Sequence, residues 1–213
     1  MGSSLLNPGS PSRGRRIAAR KITAPLVPLL LLAIIFGADA LLSTRSRGVV
    51  LTAALDEPAH FATGALGLIA LAGPGWLIRH RTFAISALIG SVVIDVDHIP
   101  LYLGWPVGHG GRPYSHSILT FVVLLTLSLV VGRRWPVPLG LGAGVLLHLV
   151  RDIVSGPGAP LWWPLSHVGV RVDYRFYAAG LCLTALVVGG RLWWQRSFLA
   201  ASTEPPSPAA DSL

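Results

Sequence analysis

The sequence has little charge and almost no cysteine, and each shortage excludes a class of protein. Only 12% of its 213 residues are charged whereas 52% are hydrophobic, a balance typical of an integral membrane protein. The single cysteine, Cys182, lies within an apolar run, so neither an internal disulfide nor a zinc site built on cysteine thiolates can form. The formal net charge is +8, but the basic residues stand in short clusters at the ends of apolar runs, as membrane topology signals do. We therefore expect membrane lipids as partners and no nucleic acid.

Six apolar stretches predict an all-α fold, a bundle of about six transmembrane helices. Each stretch approaches the ~20 residues that a helix needs to cross the bilayer. The two ends of the chain are rich in Ser, Pro and Gly, which is typical of disorder. We therefore expect a disordered, basic, cytoplasmic N-terminus (1–23), a single transmembrane domain (24–198) and a disordered C-terminal tail (199–213). The six stretches are residues 24–43, 61–78, 83–103, 116–132, 136–154 and 176–194.

The positions of Lys and Arg predict the orientation. With the N-terminus in the cytoplasm, eleven of the 17 basic residues fall on the inner side and six on the outer side. This asymmetry follows the positive-inside rule, so both termini are expected in the cytoplasm. The first stretch has a second interpretation, because a basic leader, an apolar core and Ala38-Asp39-Ala40 resemble a signal peptide with its cleavage site. Cleavage leaves five spans and does not change the rest of the topology.

Histidine and aspartate residues collect at the outer ends of four predicted spans. An ionisable side chain inside a membrane is unfavourable by about 2.5–3.5 kcal/mol on insertion scales, so each of them indicates function by default. His148 and Asp152 are four residues apart, and Asp95 and His98 are three apart, so each pair shares a helix face. Asp97 is expected to point to another side. The complete set is His60, Asp95, Asp97, His98, His116, His148 and Asp152.

This set of side chains predicts a metal site. Imidazole and carboxylate ligands together suit Zn²⁺, with Mn²⁺ or Fe²⁺ as alternatives. Seven candidates exceed the four ligands of one tetrahedral ion, so either two ions are bound or some groups orient the ligands. Each residue also has a structural interpretation. His60 could lie at the start of its helix, and Asp95 and Asp97 could bind backbone groups at a broken helix end. His116 could be a histidine at the membrane interface, and His148 and Asp152 could form a buried structural pair.

Nearby polar residues are weaker candidates for membership of the site. His109 and His167 lie in predicted outer loops, on the same side of the membrane as the set. Glu57 adjoins the set and either joins the site or faces solvent. Asp56 is predicted to cap the start of a helix ahead of Pro58.

Three motifs in this set resemble those of the YdjM-like family. They are Asp95-Val96-Asp97-His98, Tyr114-Ser115-His116-Ser117 and His148-Leu149-Val150-Arg151-Asp152. His60 with Gly64, and Leu161-Trp162-Trp163-Pro164-Leu165-Ser166 after Gly158, are similar to further features of the family. The resemblance covers residues 56–168 and implies a bacterial inner-membrane protein with metal-dependent hydrolase activity.

The chain departs from the family's pattern at three places. Ile94 stands where proline is usual, and Ser155 where threonine is usual. Arg112-Pro113 stands where a His-Arg pair is usual, so the family's histidine is absent here or displaced to His109. One ligand or catalytic group is therefore missing from its usual position.

Together the residues and the resemblance predict a hydrolase acting at the outer leaflet. Asp95 is expected to orient a ligand, to bridge two ions or to act as a base. Arg112 is expected to hold phosphate through the bidentate contacts of its guanidinium group, with Arg151 and Arg171 as further candidates. The metal would lower the pKa of a bound water and polarise the scissile bond. A phosphoester of a lipid or lipid-linked intermediate is the expected substrate. The expected metal ligands are His60, Asp97, His98, His116, His148 and Asp152.

Two other classes of function are compatible with the sequence. In a transporter, buried acids and histidines relay protons or metal, although such sites lie near the midplane between repeated halves, and we find no convincing internal repeat. In a non-catalytic membrane protein, a metal or a polar network ties the four helices together. Structural metal sites are closed whereas catalytic ones keep a position open for water, a difference that the sequence does not reveal.

Overall fold

A computed structural model describes residues 26–44, 48–105 and 112–201, and these residues form helices and connecting loops with no strand among them. The predicted all-α class is therefore confirmed. The predicted N-terminal segment 1–23 lies outside the described residues, as does the predicted tail 199–213 from residue 202 onward, whereas residues 199–201 belong to the last helix. The helices are α1 (Leu26–Thr44), α2 (Val49–Ala72), α3 (Pro74–Arg79), α4 (Arg81–Val93), α5 (Ile99–Tyr102), α6 (Ile118–Val130), α7 (Pro136–Asp152) and α8 (Tyr174–Ala201), with 3₁₀ turns at Ile94–His98 and Gly132–Arg134.

Two of the described helices are long and apolar enough to cross a membrane. They are Leu26–Thr44, with a mean hydropathy of 2.3, and the Tyr174–Gln195 part of α8, with a mean hydropathy of 1.4. The structure thus supports two of the six predicted spans by length and composition. Helix α6 has 13 residues and α7 has 17, or about 20 and 26 Å at 1.5 Å per residue. Both are short for a hydrocarbon core of about 30 Å.

Helix α2 differs most from its predicted limits. It begins at Val49 rather than at residue 61, and it ends at Gly73, whose φ of 75° is a conformation that favours glycine. Asp56 and Pro58, predicted to mark a helix start, lie inside this helix, and Gly48 is the N-cap residue. The predicted start was wrong because the polar residues here interrupt the apolar run without interrupting the helix. His60 consequently lies in the middle of α2, not at its outer end.

The third predicted span is broken in its outer half. Helix α4 ends at Val93, and the chain continues as the 3₁₀ turn Ile94–His98 and the single helical turn of α5. A 3₁₀ turn rises about 2.0 Å per residue and aligns side chains three residues apart. The polar residues of the third span therefore lie on an irregular segment rather than on a regular helix.

Two packing regions hold the bundle together. Ile35 of α1, Leu66 of α2 and Val188 of α8 are completely buried and belong to one apolar core. Helices α4 and α7 instead meet through small residues. A methyl group added to Gly144 would collide with the carbonyl oxygen of Ala87, so the two backbones are in close approach, as in small-residue packing between membrane helices.

Candidate metal centre

The structure brings all seven predicted His and Asp residues into one group, which we call the His/Asp cluster. Its members come from α2, from the 3₁₀ turn after α4, from the loop before α6 and from the end of α7. Three overlapping trios have ligand atoms within 4.8 Å of one another. The trios are His60, Asp95 and His148; Asp95, His98 and His116; and His116, His148 and Asp152.

Asp95 lies at the centre of the cluster, because its carboxylate faces four imidazoles. Its Oδ1 atom is 3.0 Å from His116 Nε2, 3.2 Å from His98 Nδ1 and 3.4 Å from His148 Nε2. Its Oδ2 atom is 3.9 Å from His60 Nε2. Asp95 therefore contacts all four imidazoles of the cluster through its two oxygens.

Asp152 forms the second anionic point of the cluster and is completely buried. One oxygen, Oδ2, is 3.1 Å from His148 Nε2 and 3.5 Å from His116 Nε2, whereas Oδ1 is 3.7 Å from His60 Nε2. Arg112 contacts Oδ1 at 2.7 Å through Nη1. Asp152 therefore joins three imidazoles to one permanent positive charge.

The orientation of His148 is fixed by a backbone carbonyl of α4. Its Nδ1 atom lies 3.0 Å from the carbonyl oxygen of Ser91. Since a carbonyl oxygen only accepts hydrogen bonds, Nδ1 must carry the proton, and Nε2 of the neutral ring presents a lone pair. That lone pair faces the carboxylates of Asp95 and Asp152. The Nε2 lone pair and the two carboxylates are all hydrogen-bond acceptors, so a cation must lie between them, either a proton or a metal ion.

The chemistry of the cluster fits a metal ion. Ligand bonds of about 2.1 Å in tetrahedral geometry place neighbouring ligand atoms about 3.4 Å apart, close to the spacings around Asp95 and Asp152. Several of the side-chain atoms are buried and have no hydrogen-bond partner among the described residues, which a coordinated ion would explain. These atoms include His148 Nε2 and Asp152 Oδ2.

The 3₁₀ turn directs Asp97 into the cluster, so the prediction that it points to another side was wrong. Asp97 Oδ1 lies 3.2 Å from His98 Nδ1, and Oδ2 lies 3.4 Å from His116 Nδ1. The hydroxyl of Ser115 donates a hydrogen bond to Oδ2. Asp97 contacts two of the imidazoles where Asp95 contacts four, and it lies at the edge of the cluster.

Arg112, predicted to hold phosphate, is held by side chains of the chain itself. Beside its contact with Asp152, its Nη2 atom donates a hydrogen bond of 2.6 Å to Ser155 Oγ. Its Nε atom is buried and has no hydrogen-bond partner among the described residues. Arg112 thus orients Asp152, and its Nε–H group is available to a further acceptor.

A second polar network lies beside the cluster, and sequence reasoning missed it. The buried guanidinium group of Arg151 contacts Asp39 at 2.6 Å and Asp56 at 2.7 Å, and it donates to Tyr177 Oη at 3.4 Å. Tyr174 Oη donates to Asp39 at 2.8 Å. Asp39 was interpreted only as part of a cleavage site, although an acid within an apolar helix indicates function by default.

A polar cavity of about 890 Å³ opens next to this network. Both Asp56, which is 3.7 Å from His60, and Arg112, which contacts Asp152, line it. Ser43, Thr52 and Tyr174 contribute further polar lining. The cavity therefore connects the exterior with the residues at the edge of the His/Asp cluster.

The remaining predicted candidates lie elsewhere. His167 packs against Tyr114, with ring centroids 5.6 Å apart, outside the cluster. His80 stacks on Trp76 at 4.1 Å and its ring nitrogen faces the carbonyl of Trp76. His109 lies outside the described residues. Glu57 is only partly exposed to solvent, because its Oε2 atom is buried and has no hydrogen-bond partner among the described residues.

Residues 55–204 of this chain match the protein family described as YdjM inner membrane protein. Two proteins named "Inner membrane protein YdjM", from Escherichia coli (strain K12) and from Shigella flexneri, are each 33% identical to it over 93 residues. These alignments cover 37% of this chain and 47% of each relative, so the chain spans about half the length of the curated relatives it matches. No solved structure matches it. The matched range contains every residue of the His/Asp cluster.

Proposed function

Because the chain belongs to the YdjM inner membrane protein family, we propose that it is a membrane-embedded hydrolase whose metal is held by the His/Asp cluster. The observation that carries this proposal is the orientation of His148. Its Nδ1 atom donates a hydrogen bond to the carbonyl of Ser91, which leaves Nε2 facing two carboxylates and available to an ion placed between them. A histidine locked in this way by a backbone carbonyl is typical of metal ligands.

The arrangement supports two adjacent ion positions. Asp95 belongs to two of the three trios, one with His60 and His148 and the other with His98 and His116. We therefore assign it the role of a shared, bridging ligand. Asp97 completes or orients the second position from the edge of the cluster. Zinc is the ion that the mixture of imidazole and carboxylate ligands suits best, with manganese or iron as alternatives.

The residues around the cluster provide the other requirements of hydrolysis. A bound divalent ion supplies Lewis acidity and activates water for attack. Arg112 fixes the Asp152 carboxylate and offers its free Nε donor to an anionic oxygen. The adjoining polar cavity is lined by Asp56 and Arg112, which contact His60 and Asp152, and it would bring water to the edge of the cluster. An open access of this kind favours a catalytic site over a structural metal, since structural sites are closed.

We further propose the orientation and the substrate. The excess of basic residues on one side favours six spans with both termini in the cytoplasm. The cluster then lies toward the extracytoplasmic side of the bacterial inner membrane, below the outer headgroups. A phosphoester in a lipid or lipid-linked molecule is the substrate class that both the ligand chemistry and this depth favour.

Metal analysis of the untagged protein tests this proposal. The wild type, purified in detergent without a His tag, should contain near-stoichiometric zinc, manganese or iron by elemental mass spectrometry. His148→Ala and Asp152→Ala should lose it. His80→Ala is the matched control, because His80 lies on Trp76 outside the cluster, and it should retain the metal.

The same measurement separates the alternatives. A wild type that carries no metal even after reconstitution would contradict the hydrolase and leave the cluster as a polar network that ties helices together. A metal-loaded wild type justifies a screen of phosphoesters, in which His148→Ala should be inactive and His80→Ala active.

A further inference from the structure

A second cavity, different in character from the polar one, reaches the His/Asp cluster from the side of the bundle. It has a volume of about 710 Å³, within the range of 300–1,000 Å³ that is usual for small-molecule sites. It lies between α2 and α4, and we call it the lateral groove. Its lining is apolar except for two carboxylates, and it includes Ala53, Phe61, Ile89, Val93, Glu57 and Asp95.

The lateral groove ends at the cluster. Asp95 lines the groove and also faces the four imidazoles. Glu57 lines it as well, with a buried Oε2 atom that has no hydrogen-bond partner among the described residues. An apolar groove that ends on the carboxylates of Glu57 and of Asp95, a member of the cluster, has the polarity of an amphiphile, with a chain at one end and a polar group at the other.

The geometry of α2 separates the groove from the polar cavity. Ala53, Glu57 and Phe61 follow one another at intervals of four residues, so they share one face of the helix. Asp56, which lines the polar cavity, is rotated from Glu57 by about 100°. His60 lies between these two faces and points into the cluster. A molecule in the groove therefore approaches the cluster on a different side from a molecule in the cavity.

We propose that the lateral groove holds the alkyl chain of an amphiphilic phosphoester whose phosphate lies at the cluster, an inference that rests on the proposed function. Phe61, Ile89 and Val93 are 45–51% exposed, and under the proposed function they would face the hydrocarbon of the bilayer. Lipid tails are as apolar as these side chains, so the groove contributes orientation of the chain rather than hydrophobic free energy. A partner helix or a second copy of this chain would not account for the two carboxylates at the end of the groove.

Photolabelling tests the groove without requiring catalysis. The probe is a monoalkyl phosphate with a diazirine in its chain, incubated with the metal-loaded, full-length protein in lipid nanodiscs and mapped by peptide mass spectrometry. Labels should concentrate on the α2 and α4 peptides that line the groove. The unlabelled monoalkyl phosphate should compete for these positions, and the alcohol of equal chain length should compete more weakly, because it lacks the phosphate.

Groove-filling variants make the test specific. Ala53→Trp and Ile89→Trp place an indole in the groove from opposite walls, and each should reduce labelling of the groove peptides by about tenfold or more, equivalent to about 1.4 kcal/mol. Leu186→Trp is the control, because Leu186 is 73% exposed on α8 and does not line the groove. It should label as the wild type does. Only variants that remain monodisperse in size-exclusion chromatography are compared.

The outcomes distinguish this inference from the proposed function. Labelling that is spread evenly over the lipid-facing helices, and is unchanged in both groove variants, would reject the inference that the groove holds an alkyl chain. It would leave the proposed metal site unaffected. Labelling confined to the groove in a wild type that binds no metal would reject the hydrolase and leave the groove as a chain-binding site.

Discussion

The Nη2 atom of Arg151 lies 2.6 Å from the Oδ1 atom of Asp39, which joins the end of α7 to the first helix of the bundle. The same guanidinium group contacts Asp56 of α2. Three helices therefore share one buried charge network. Loss of Asp39 would leave the buried guanidinium group of Arg151 with Asp56 as its remaining carboxylate contact, so α1 contributes to the stability of the bundle.

We predict that α1 is retained in the mature protein. Cleavage after Ala40 would remove Asp39 from the network and Ile35 from the apolar core. Intact-mass spectrometry of protein purified from membranes should therefore give a mass that includes residues 26–44. A mature chain that begins at residue 41 would contradict this prediction and support the signal-peptide interpretation.

Substitution of Asp95 should remove more metal than substitution of Asp97. Asp95 faces four imidazoles, whereas Asp97 faces two and lies at the edge of the cluster. Asparagine keeps the size of the side chain but removes its charge. We expect Asp95→Asn to lose nearly all bound metal and Asp97→Asn to retain part of it, as measured by elemental mass spectrometry. Equal loss in both variants would argue against a bridging role for Asp95.

Removal of the metal should destabilise the protein. Binding to the folded state alone stabilises it by about 2.7 kcal/mol when the free ion is at 100 times its Kd. The unfolding temperature in detergent should fall after chelation and recover when zinc is restored. His148→Ala should show neither change. An unfolding temperature of the wild type that does not respond to chelator would indicate that the cluster is stable without an ion.

Gly144→Ala should loosen the contact between α4 and α7. The added methyl group would collide with the carbonyl oxygen of Ala87, and such overpacking is unfavourable by about 1–3 kcal/mol. His148 lies one turn further along the same helix, so its bond to Ser91 should weaken and the metal content should fall. Gly180→Ala is the control, because nothing lies within 4 Å of the added atom. A Gly144→Ala protein as stable and as metal-rich as this control would contradict the packing.

The sequence was a good guide to the members of the cluster and a poor guide to their local geometry. Ionisable residues are rare in apolar segments, so His116 and His148 could be selected from composition and position alone. The predicted direction of the Asp97 side chain was wrong because regular α-helical spacing was assumed where the chain forms a 3₁₀ turn. A local pattern of apolar residues does not predict such a change of helix type.

The features that sequence reasoning missed depend on contacts between distant parts of the chain. Asp39 and Arg151 are more than a hundred positions apart, and neither residue's neighbours in the sequence indicate the pair. The predicted start of helix α2 was too late in the chain because Asp56 and Glu57 interrupt its apolar pattern. Asp56 faces the polar cavity and Glu57 the lateral groove, and these openings form only when the helices assemble.

Asp56 and Glu57 are consecutive residues of α2, and yet one lines the polar cavity and the other the lateral groove. A little more than a quarter of a helical turn, about 100°, thus separates the polar cavity from the apolar lateral groove. Under the proposed function, a reactant dissolved in water and a reactant dissolved in the bilayer would therefore approach the cluster from different sides.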